Sequence, residues 1–212
     1  MVIPNNPDTR AAAQIARAIE AGIEPGFAHT VGGVQGAISL RQAQVLREAA
    51  AAVTEGVIIE VGAFRGKSTS ALSIGAREGH DAPIYAIDPH EKFSGPFGGE
   101  FGPADRRVFY QSMLDTGGWE NVRLVNLSSE IVAPNWDKPV GLLWIDGDHS
   151  YEGISRDFRC WAPHLLPGAP VILDDTDRGG PEQFCTELIE QGWTVTQKVG
   201  KLRALRAPDA VN

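Results

Sequence analysis

Short apolar segments alternate with helix-length segments over most of the chain. The apolar segments are VIIEVG (57–62), PIYAID (83–88), NVRLVN (121–126), GLLWID (141–146) and APVILDD (169–175). A helix is predicted from Ser68 to Glu78, between the first two segments. Apolar strands that are separated by helices are typical of βαβ units, in which both faces of a parallel sheet are covered. The pattern therefore predicts an α/β fold with a doubly wound, mostly parallel sheet.

The C-terminal part of the chain has a different pattern. In WTVTQKVGKLRALRA (193–207), two alternating segments flank Gly200. Two short alternating segments joined at a glycine are typical of a β-hairpin. We therefore expect an antiparallel hairpin to close the sheet.

Two helices are predicted in the N-terminal part of the chain. The first runs from Thr9 to Ala21, and the second runs from Ser39 to Glu55 with Ser39 as its N-cap. The glycine-rich segment GFAHTVGGVQGA (26–37) between them predicts a loop. The domain organisation that we expect is a helical extension, residues 1–35, followed by one α/β domain, residues 36–212.

Composition and charge exclude several classes of protein. With 42% hydrophobic and 22% charged residues, the chain has the composition of an ordinary globular protein. The net charge of −8 argues against nucleic acid as a partner, because phosphate neutralisation needs a basic face. No apolar run approaches membrane-spanning length, and MVIPNNPDTR lacks the pattern of a signal peptide. The two cysteines, Cys160 and Cys185, lack metal or disulfide spacing, so we expect a cytoplasmic protein.

The predicted strands end in acidic side chains. Four of the five strand ends carry a carboxylate, at Glu60, Asp88, Asp146 and Asp174–Asp175. In a doubly wound sheet, ligands bind at the carboxyl ends of the strands. Solvation of surface residues could produce the same pattern, but its repetition favours a ligand site.

The segment EVGAFRGKST (60–69) predicts a strand-to-helix turn that binds a ligand. Gly62 and Gly66 allow the backbone to approach the ligand closely, and Ser68 lies near the start of the helix. The segment has neither GxGxxG nor Walker spacing, so a plain tight turn is the alternative. Asp88 ends the next strand, where nucleotide-binding α/β folds place an acidic residue on the ribose hydroxyls. The carboxylate of Glu60 favours a cationic ligand group, such as the ammonium of a methionine moiety.

The segments WIDGDHSYEG (144–153) and LDD (173–175) predict a metal site with a base beside it. Three carboxylates with one histidine and no thiolate suit Mg²⁺ better than Zn²⁺. Adjacent residues of a regular strand point to opposite faces, so Asp174 and Asp175 can converge on one ion only if the strand ends before them. The alternative is that Asp175 caps the next element. His149 could accept a proton from a substrate hydroxyl, or it could be a hydrogen-bonding histidine without a catalytic role. His90, which follows Asp88, could line the same pocket or be structural.

These motifs together resemble those of class I S-adenosylmethionine-dependent methyltransferases. Within that class, EVGAFRGKST, Asp88, WIDGDH and LDD resemble the small-molecule O-methyltransferases of the catechol type and their bacterial relatives that act on sugars and natural products. The resemblance covers residues 36 to 206. It implies a Rossmann-like fold, S-adenosylmethionine as the cofactor and a divalent cation.

The resemblance also implies a role for each matching position. The expected cofactor-binding residues are Glu60, Gly62, Phe64, Gly66, Ser68, Asp88, Ser128, Ser129 and Asp146, with the two serines in the loop that borders the adenine. The expected metal ligands are Asp146, Asp174 and Asp175. His149 falls where catechol-type enzymes place a catalytic lysine, and Asp175 falls where they have asparagine. These two departures leave the need for a base intact and make the metal site more negative.

The sequence therefore predicts a Mg²⁺-dependent O-methyltransferase that acts on a hydroxyl of a small molecule, such as a sugar or a natural product. One alternative is an NAD-dependent oxidoreductase, against which the spacing of Gly62 and Gly66 counts. Another is a non-catalytic nucleotide-binding module, although three uncompensated carboxylates argue against it. The segment HEKFSGPFGGEFGPAD (90–105) is expected to lack regular structure, and it could form a lid over the substrate or be a disordered loop. The oligomeric state is left open, and the N-terminal helices could serve a homodimer interface.

Overall fold

A seven-stranded sheet forms the centre of the chain in a computed structural model that describes residues 7–208. Its strands, in sheet order, are β5 (Val122–Val125), β2 (Ile84–Ile87), β1 (Val57–Val61), β6 (Val140–Ile145), β7 (Val171–Leu173), β9 (Leu202–Arg206) and β8 (Thr194–Val199). The first five strands in this order are parallel, and β9 runs antiparallel to both of its neighbours. The predicted Rossmann-like sheet that ends in an antiparallel hairpin is therefore confirmed.

Eight α-helices accompany the sheet within the described residues. They are α1 (Pro7–Glu20), α2 (Pro25–Gly32), α3 (Leu40–Ala51), α4 (Lys67–Glu78), α5 (Pro103–Thr116), α6 (Ser129–Val132), α7 (Tyr151–Trp161) and α8 (Gly179–Glu190). Side chains of α1 to α5 share one hydrophobic core with one face of the sheet, and those of α7 and α8 share a second core with the other face. Both faces are therefore covered, as the apolar strands require.

The central strand β1 divides its side chains between the two cores. Ile58 lies in the first core and Ile59 in the second, and both are fully buried. Full burial of one such side chain stabilises a fold by about 1.5–3 kcal/mol. Since β2 and β6 pair with β1 on its two sides, their carboxyl ends lie next to the turn that follows β1.

Helix α3 begins where the sequence predicts. The Ser39 hydroxyl accepts a hydrogen bond from the Gln42 amide at 3.2 Å, and the Gln42 side chain accepts one from the Ser39 amide at 2.9 Å. This reciprocal capping box satisfies two amide groups at the start of the helix. The helix ends at Ala51, short of the predicted Glu55.

The prediction of a loop over residues 26–37 is wrong in its first part, which forms α2. The Glu24 carboxylate accepts hydrogen bonds from the amides of Gly26 and Phe27, both at 2.6 Å. Pro25 occupies the first turn, where its missing N–H costs nothing. Burial of Phe27 and Val31 in the same core as α3 and α4 then offsets the low helix propensity of the glycines.

The N-terminal helices are packed against the rest of the fold. Ala18 of α1 and Phe27 of α2 belong to the core that also contains Leu46 and Ile58. The first six residues of the predicted extension and the last four of the chain lie outside the described residues. The division into residues 1–35 and 36–212 stays a prediction.

Segment 90–105 has regular structure, contrary to the prediction. It contains a two-stranded hairpin, with β3 (Phe93–Ser94) antiparallel to β4 (Glu100–Phe101), and α5 starts at Pro103. Gly98 and Gly99, with φ of 87° and 101°, supply the left-handed backbone that the turn requires. The ring of Phe101 packs edge-on against Phe64, with 5.1 Å between their centroids. The glycines thus allow a tight turn here.

Candidate active site

A cavity of about 500 Å³ opens at the carboxyl ends of β1, β2 and β6. Its wall includes the turn after β1, the segment after β2, the segment after β6 and the β3–β4 hairpin. Gly36, Ala37 and Ile38, which precede α3, line another side. Doubly wound sheets bind their ligands at this end.

The turn between β1 and α4 is shaped by glycine and by a strained phenylalanine. Gly62 and Gly66 both have φ of 88°, and a Cβ on Gly62 would lie 2.2 Å from the carbonyl oxygen of Asp146. Only glycine therefore lets β1 and β6 end so close together. Phe64 has φ of 45°, which is uncommon for a bulky side chain.

Asp88 holds this turn in place through backbone amides. Its Oδ2 accepts hydrogen bonds from the amides of Ala63 at 3.0 Å and Phe64 at 2.8 Å, and its Oδ1 accepts one from His90 at 2.8 Å. Since a carboxylate has about four acceptor positions, roughly one remains for a ligand hydroxyl. The residue lines the cavity and is 18% exposed, so its side chain is accessible to a ligand there.

His90 joins the same network from a buried position. The side-chain amide of Asn126 donates to the carbonyl of Asp88 at 2.9 Å and faces Nδ1 of His90 at 3.2 Å. An acceptor at Nδ1 places the proton on Nε2, which then donates to the carbonyl of Phe64 at 2.7 Å. His90 therefore fixes the strained backbone of Phe64, and it also lines the cavity, so the structure shows both roles that the sequence left open.

Glu60 is fully buried at the end of β1. Burial raises its pKa to about 8, and the neighbouring carboxylates of Asp146 and Asp88 add to the rise, while hydroxyl donors on α4 oppose it. Thr69 donates its hydroxyl to Oε2. Oε1 has no hydrogen-bond partner within the described part of the chain.

Lys67, the first residue of α4, is a buried cation that sequence reasoning missed. It is 9% exposed and lines the cavity, and burial lowers the pKa of its ammonium. Among the side chains described for residues 10–208, none forms a hydrogen bond or salt bridge with this ammonium. Helix α4 has no side-chain cap and no acidic residue in its first turn, so the positive end of the helix dipole adds to the charge. The feature of the sequence that could have indicated this cation is the Gly66-Lys67-Ser68 segment at the start of the predicted helix.

Three potential metal ligands meet beside the cavity, from two parts of the sequence. Asp146, His149 and Asp175 each offer one ligand atom, and these atoms lie within 4.8 Å of one another. Nε2 of His149 is 3.1 Å from Oδ1 of Asp146, and Nδ1 is 3.5 Å from Oδ2 of Asp175. Burial opposes protonation of His149, but the bond to Asp146 and the nearby carboxylates outweigh it and raise the pKa of the imidazole.

Asp174 lies outside this group of three. Its Oδ1 accepts a hydrogen bond from the side-chain amide of Gln42 at 3.0 Å, and its Oδ2 lies 2.6 Å from Nζ of Lys201. Burial raises the pKa of Asp174 to about 7, the Asp146 carboxylate adds to the rise, and the Lys201 ammonium opposes it. Its assignment as a metal ligand stays a prediction.

Strand β7 ends at Leu173, and both Asp174 and Asp175 contact the ammonium of Lys201 beyond its end. Their convergence on one metal ion stays a prediction. The backbone of Asp175 is left-handed, with φ of 49°. Its side chain faces His149 on one side and Lys201 and Arg178 on the other, at 3.0 Å and 3.3 Å. No side chain caps α8, so the alternative in which Asp175 serves as a cap is not what the structure shows.

The tip of the β3–β4 hairpin covers His149. The ring of Phe97 stacks on the imidazole with 5.4 Å between centroids and 19° between planes. The guanidinium of Arg178 lies 4.2 Å from the centroid of the Phe97 ring. The hairpin therefore lies over the acidic side of the cavity, as a lid would; movement of this segment stays a prediction.

Ser128 and Ser129 also line the cavity. The hydroxyl of Ser129 accepts a hydrogen bond from the indole of Trp161, which is fully buried. Asp157 of α7, which the sequence did not single out, also lines the cavity, and burial raises its pKa to about 6.

Comparison with known proteins decides the family. Residues 59–176 match a family described as a methyltransferase domain. The chain belongs to this methyltransferase family. The matched region contains the turn after β1, Asp88 and all four residues of the acidic side, Asp146, His149, Asp174 and Asp175.

Solved structures with the same fold as this methyltransferase cover nearly the whole chain. Cofactor-bound Rv0187 from MTB has a TM-score of 0.67 at 18% identity and covers 98% of this chain and 100% of that one. The O-methyltransferase TomG from Streptomyces achromogenes, in complex with SAM, has a TM-score of 0.61 at 18% identity over 98% and 93%. CalS11, a TDP-rhamnose 3′-O-methyltransferase, has a TM-score of 0.61 at 16% identity over 98% and 97%. At these identities the likeness shows the fold.

A curated relative matches a smaller part of the methyltransferase. The uncharacterised protein y4gI of Sinorhizobium fredii is 36% identical over 70 residues, which are 33% of this chain. The chain spans about 7% of the length of that relative.

The predicted class, an S-adenosylmethionine-dependent methyltransferase of class I, is therefore confirmed in family and fold. None of the helices within residues 7–208 combines the length and apolar character that a bilayer crossing requires. The roles of the individual site residues, the cytoplasmic location, the exclusion of nucleic acid and the homodimer stay predictions.

Proposed function

We propose that this methyltransferase transfers a methyl group from S-adenosylmethionine to a hydroxyl of a small molecule, with the assistance of a divalent cation such as Mg²⁺. The observation that carries the proposal is the meeting of Asp146, His149 and Asp175 beside the cavity that the turn after β1 borders. One end of the cavity thus suits the cofactor, and the other suits a hydroxyl that must lose a proton.

The cofactor end has a positive charge that suits the carboxylate of an amino-acid group. Lys67 and the start of α4 suit the carboxylate of the methionine moiety. Glu60 is fully buried behind the turn after β1 and does not line the cavity, so its contact with the ammonium stays a prediction. Asp88 retains one acceptor position for a ribose hydroxyl. Ser128 and Ser129 suit the adenine. When bound, S-adenosylmethionine supplies the methyl group on a sulfonium.

The donor set at the acidic end fits a divalent cation. Asp146 and Asp175 offer hard oxygen donors, and Mg²⁺ is commonly held by one or two carboxylates together with water. The two carboxylates would hold the ion, which would stabilise the oxyanion of an acceptor hydroxyl. Asp174 adds a third carboxylate nearby, which is itself buried, so the site can accommodate positive charge beyond Lys201 and His149.

His149 is the proposed base for the acceptor hydroxyl. Its neighbouring carboxylates raise its pKa, which favours an imidazolium that cannot accept a proton. A divalent cation on Asp146 and Asp175 opposes that shift and favours the neutral ring. His149 lines the cavity, so a ring nitrogen that turns from its carboxylate can reach an acceptor there.

The nature of the acceptor is a further part of the proposal. CalS11 acts on TDP-rhamnose, and TomG is involved in tomaymycin synthesis. These neighbours support a sugar or another natural product as the acceptor. The Gly-rich hairpin with Phe97 would set the space available to it.

Calorimetry with S-adenosylmethionine and with NAD, followed by transfer of labelled methyl to a panel of hydroxylated sugars and phenols, tests the proposed function. We expect the first ligand alone to bind, and turnover to need Mg²⁺ and to stop in excess EDTA. Binding of NAD in place of S-adenosylmethionine would contradict the proposal. Full turnover in EDTA would contradict the proposed role of the divalent cation.

A further inference from the structure

Lys201 brings a positive charge into the acidic centre from the turn between β8 and β9. Its Nζ lies 2.6 Å from Oδ2 of Asp174 and 3.0 Å from Oδ1 of Asp175. The side chain is 23% exposed, whereas those of Asp174 and Asp175 are 0% and 2% exposed. One ammonium therefore bridges two adjacent buried carboxylates.

The main chain fixes the position of Lys201. Its carbonyl oxygen accepts hydrogen bonds from the amide of Thr176 at 2.9 Å and from the hydroxyl of Thr176 at 2.7 Å. Thr176 is buried directly after Asp175, and Leu173 pairs with Arg203 across β7 and β9. The segment that carries the ammonium is thus attached to the segment that carries the two carboxylates.

Two buried carboxylates next to each other need compensating charge. The side-chain amide of Gln42 supplies one hydrogen bond to Asp174, and Arg178, which is more exposed, lies 3.3 Å from Asp175. Lys201 is the cation that contacts both carboxylates within the described chain. It also engages the Oδ1 atom of Asp175, while Oδ2 faces His149.

We propose that Lys201 is a positioning residue that acts as a permanent counter-ion at the acidic end of the cavity, where Asp146, Asp174 and Asp175 lie. It keeps Asp174 away from the divalent cation and weakens the binding of that cation to Asp146 and Asp175. The inference rests on the metal site of the proposed function. Its physical basis is that an ammonium and a divalent cation that share Asp175 repel each other at short range.

The test compares Mn²⁺ binding to Lys201→Met with binding to the wild-type chain, by calorimetry and by the paramagnetic resonance of free Mn²⁺. We expect Lys201→Met to bind Mn²⁺ about ten-fold more tightly or better, because the repelling charge is removed and Asp174 becomes available. Structural damage would weaken binding, so the sign of the change separates the two explanations. Equal or weaker binding by Lys201→Met overturns the proposal.

Three further variants make the comparison decisive. Lys198→Met removes an exposed lysine from the same hairpin, and we expect wild-type affinity. Lys201→Arg keeps the charge and should also bind as the wild type does. Lys201→Gln keeps a hydrogen-bond donor without the charge, should tighten binding as Lys201→Met does, and serves if the methionine variant does not fold.

Cofactor binding separates this inference from the proposed function. S-adenosylmethionine should bind all of these variants with wild-type affinity, since Lys201 does not line the cofactor end. If Mn²⁺ affinity is unchanged while methyl transfer proceeds, the role of Lys201 is refuted and the methyltransferase function stands. If no variant binds Mn²⁺, the role of Lys201 and the metal part of the function are both refuted.

Discussion

The two ends of the cavity satisfy their carboxylates by different means. At the cofactor end, Asp88 accepts three hydrogen bonds from main-chain amides within the turn and the strand end beside it. At the acidic end, Asp174 and Asp175 depend on side chains that come from distant segments, chiefly Gln42 and Lys201. Main-chain donors persist through changes of sequence, whereas side-chain cations respond to each substitution and to each bound ion. The cofactor end is thus shaped by backbone geometry, and the acidic end is tuned by the balance of charge.

We expect the largest effect, on kcat, from a substitution of His149. This substitution tests whether the acidic end acts on the methyl acceptor and not on the cofactor. His149→Ala should lower kcat by about 10²–10⁴-fold, because the acceptor hydroxyl loses its base. The affinities for S-adenosylmethionine in calorimetry and for Mn²⁺ should stay close to those of the wild type. A variant with near-normal kcat would refute the base, and a large loss of Mn²⁺ affinity would make His149 a ligand instead.

Asp88→Ala tests whether the cofactor end depends on its main-chain network. The substitution leaves three amides without their acceptor and removes the proposed ribose contact, at a cost of about 1–3 kcal/mol for each unsatisfied buried group. We expect the affinity for S-adenosylmethionine to fall about ten-fold or more in calorimetry, and the melting temperature to fall as well. Mn²⁺ affinity should change little. Unchanged cofactor affinity would exclude Asp88 from the site.

Lys67→Met tests the charge at the start of α4 while it retains much of the apolar stem. We expect about ten-fold weaker binding of S-adenosylmethionine, since the cofactor carboxylate loses a charged partner. Binding of 5′-methylthioadenosine, which lacks the amino-acid group, should be unchanged. Lys92→Met is the matched control, because Lys92 also lines the cavity but is exposed. Equal losses for both ligands would mean that Lys67 acts on the fold and not on the carboxylate.

A further prediction concerns the pH dependence of stability at Glu60. Its pKa is raised to about 8 in the folded chain, so the stability it contributes is fully present below about pH 4.5 and is lost as the pH rises toward 8. Glu60→Gln imitates the protonated form. Its melting temperature should match that of the wild type near pH 4.5 and exceed it increasingly up to pH 8. A difference that does not grow with pH would show that Glu60 is charged within the ligand-free fold.

The same contrast explains which parts of the molecule the sequence could predict. The strands were visible because they are buried on both faces, and the start of α3 was visible because Ser39 and Gln42 are close in sequence. Helix α2 was missed because its stability comes from the Glu24 cap and from tertiary burial of Phe27, against its glycine content. A local sequence pattern therefore indicates buried strands and helix caps, but it does not indicate a helix whose stability comes from tertiary burial.

The acidic end shows the same limit within the site. The motifs around Asp146 and Asp174 indicated an acidic cluster, but nothing in the hairpin sequence indicated that Lys201 would reach it. That contact depends on the pairing of β7 with β9 and on the bonds between Thr176 and Lys201, which join segments about 25 residues apart. Lys67 was overlooked for another reason, since its burial depends on packing against Gly36.

The position of β9 between β7 and β8 determines which parts of the cavity can form first during synthesis of the chain. A nascent chain that has emerged from the ribosome as far as α8 already contains every residue of the turn after β1. It also contains the partner of that turn, Asp88, and the cavity residues Ser128 and Ser129. The outer edge of β7 is then still without its neighbour, and Asp174 and Asp175 have not yet met their ammonium. Since chains are synthesised from the N-terminus, the turn after β1 and its partner Asp88 can assemble while translation continues, and the acidic end is completed only when the last hairpin docks.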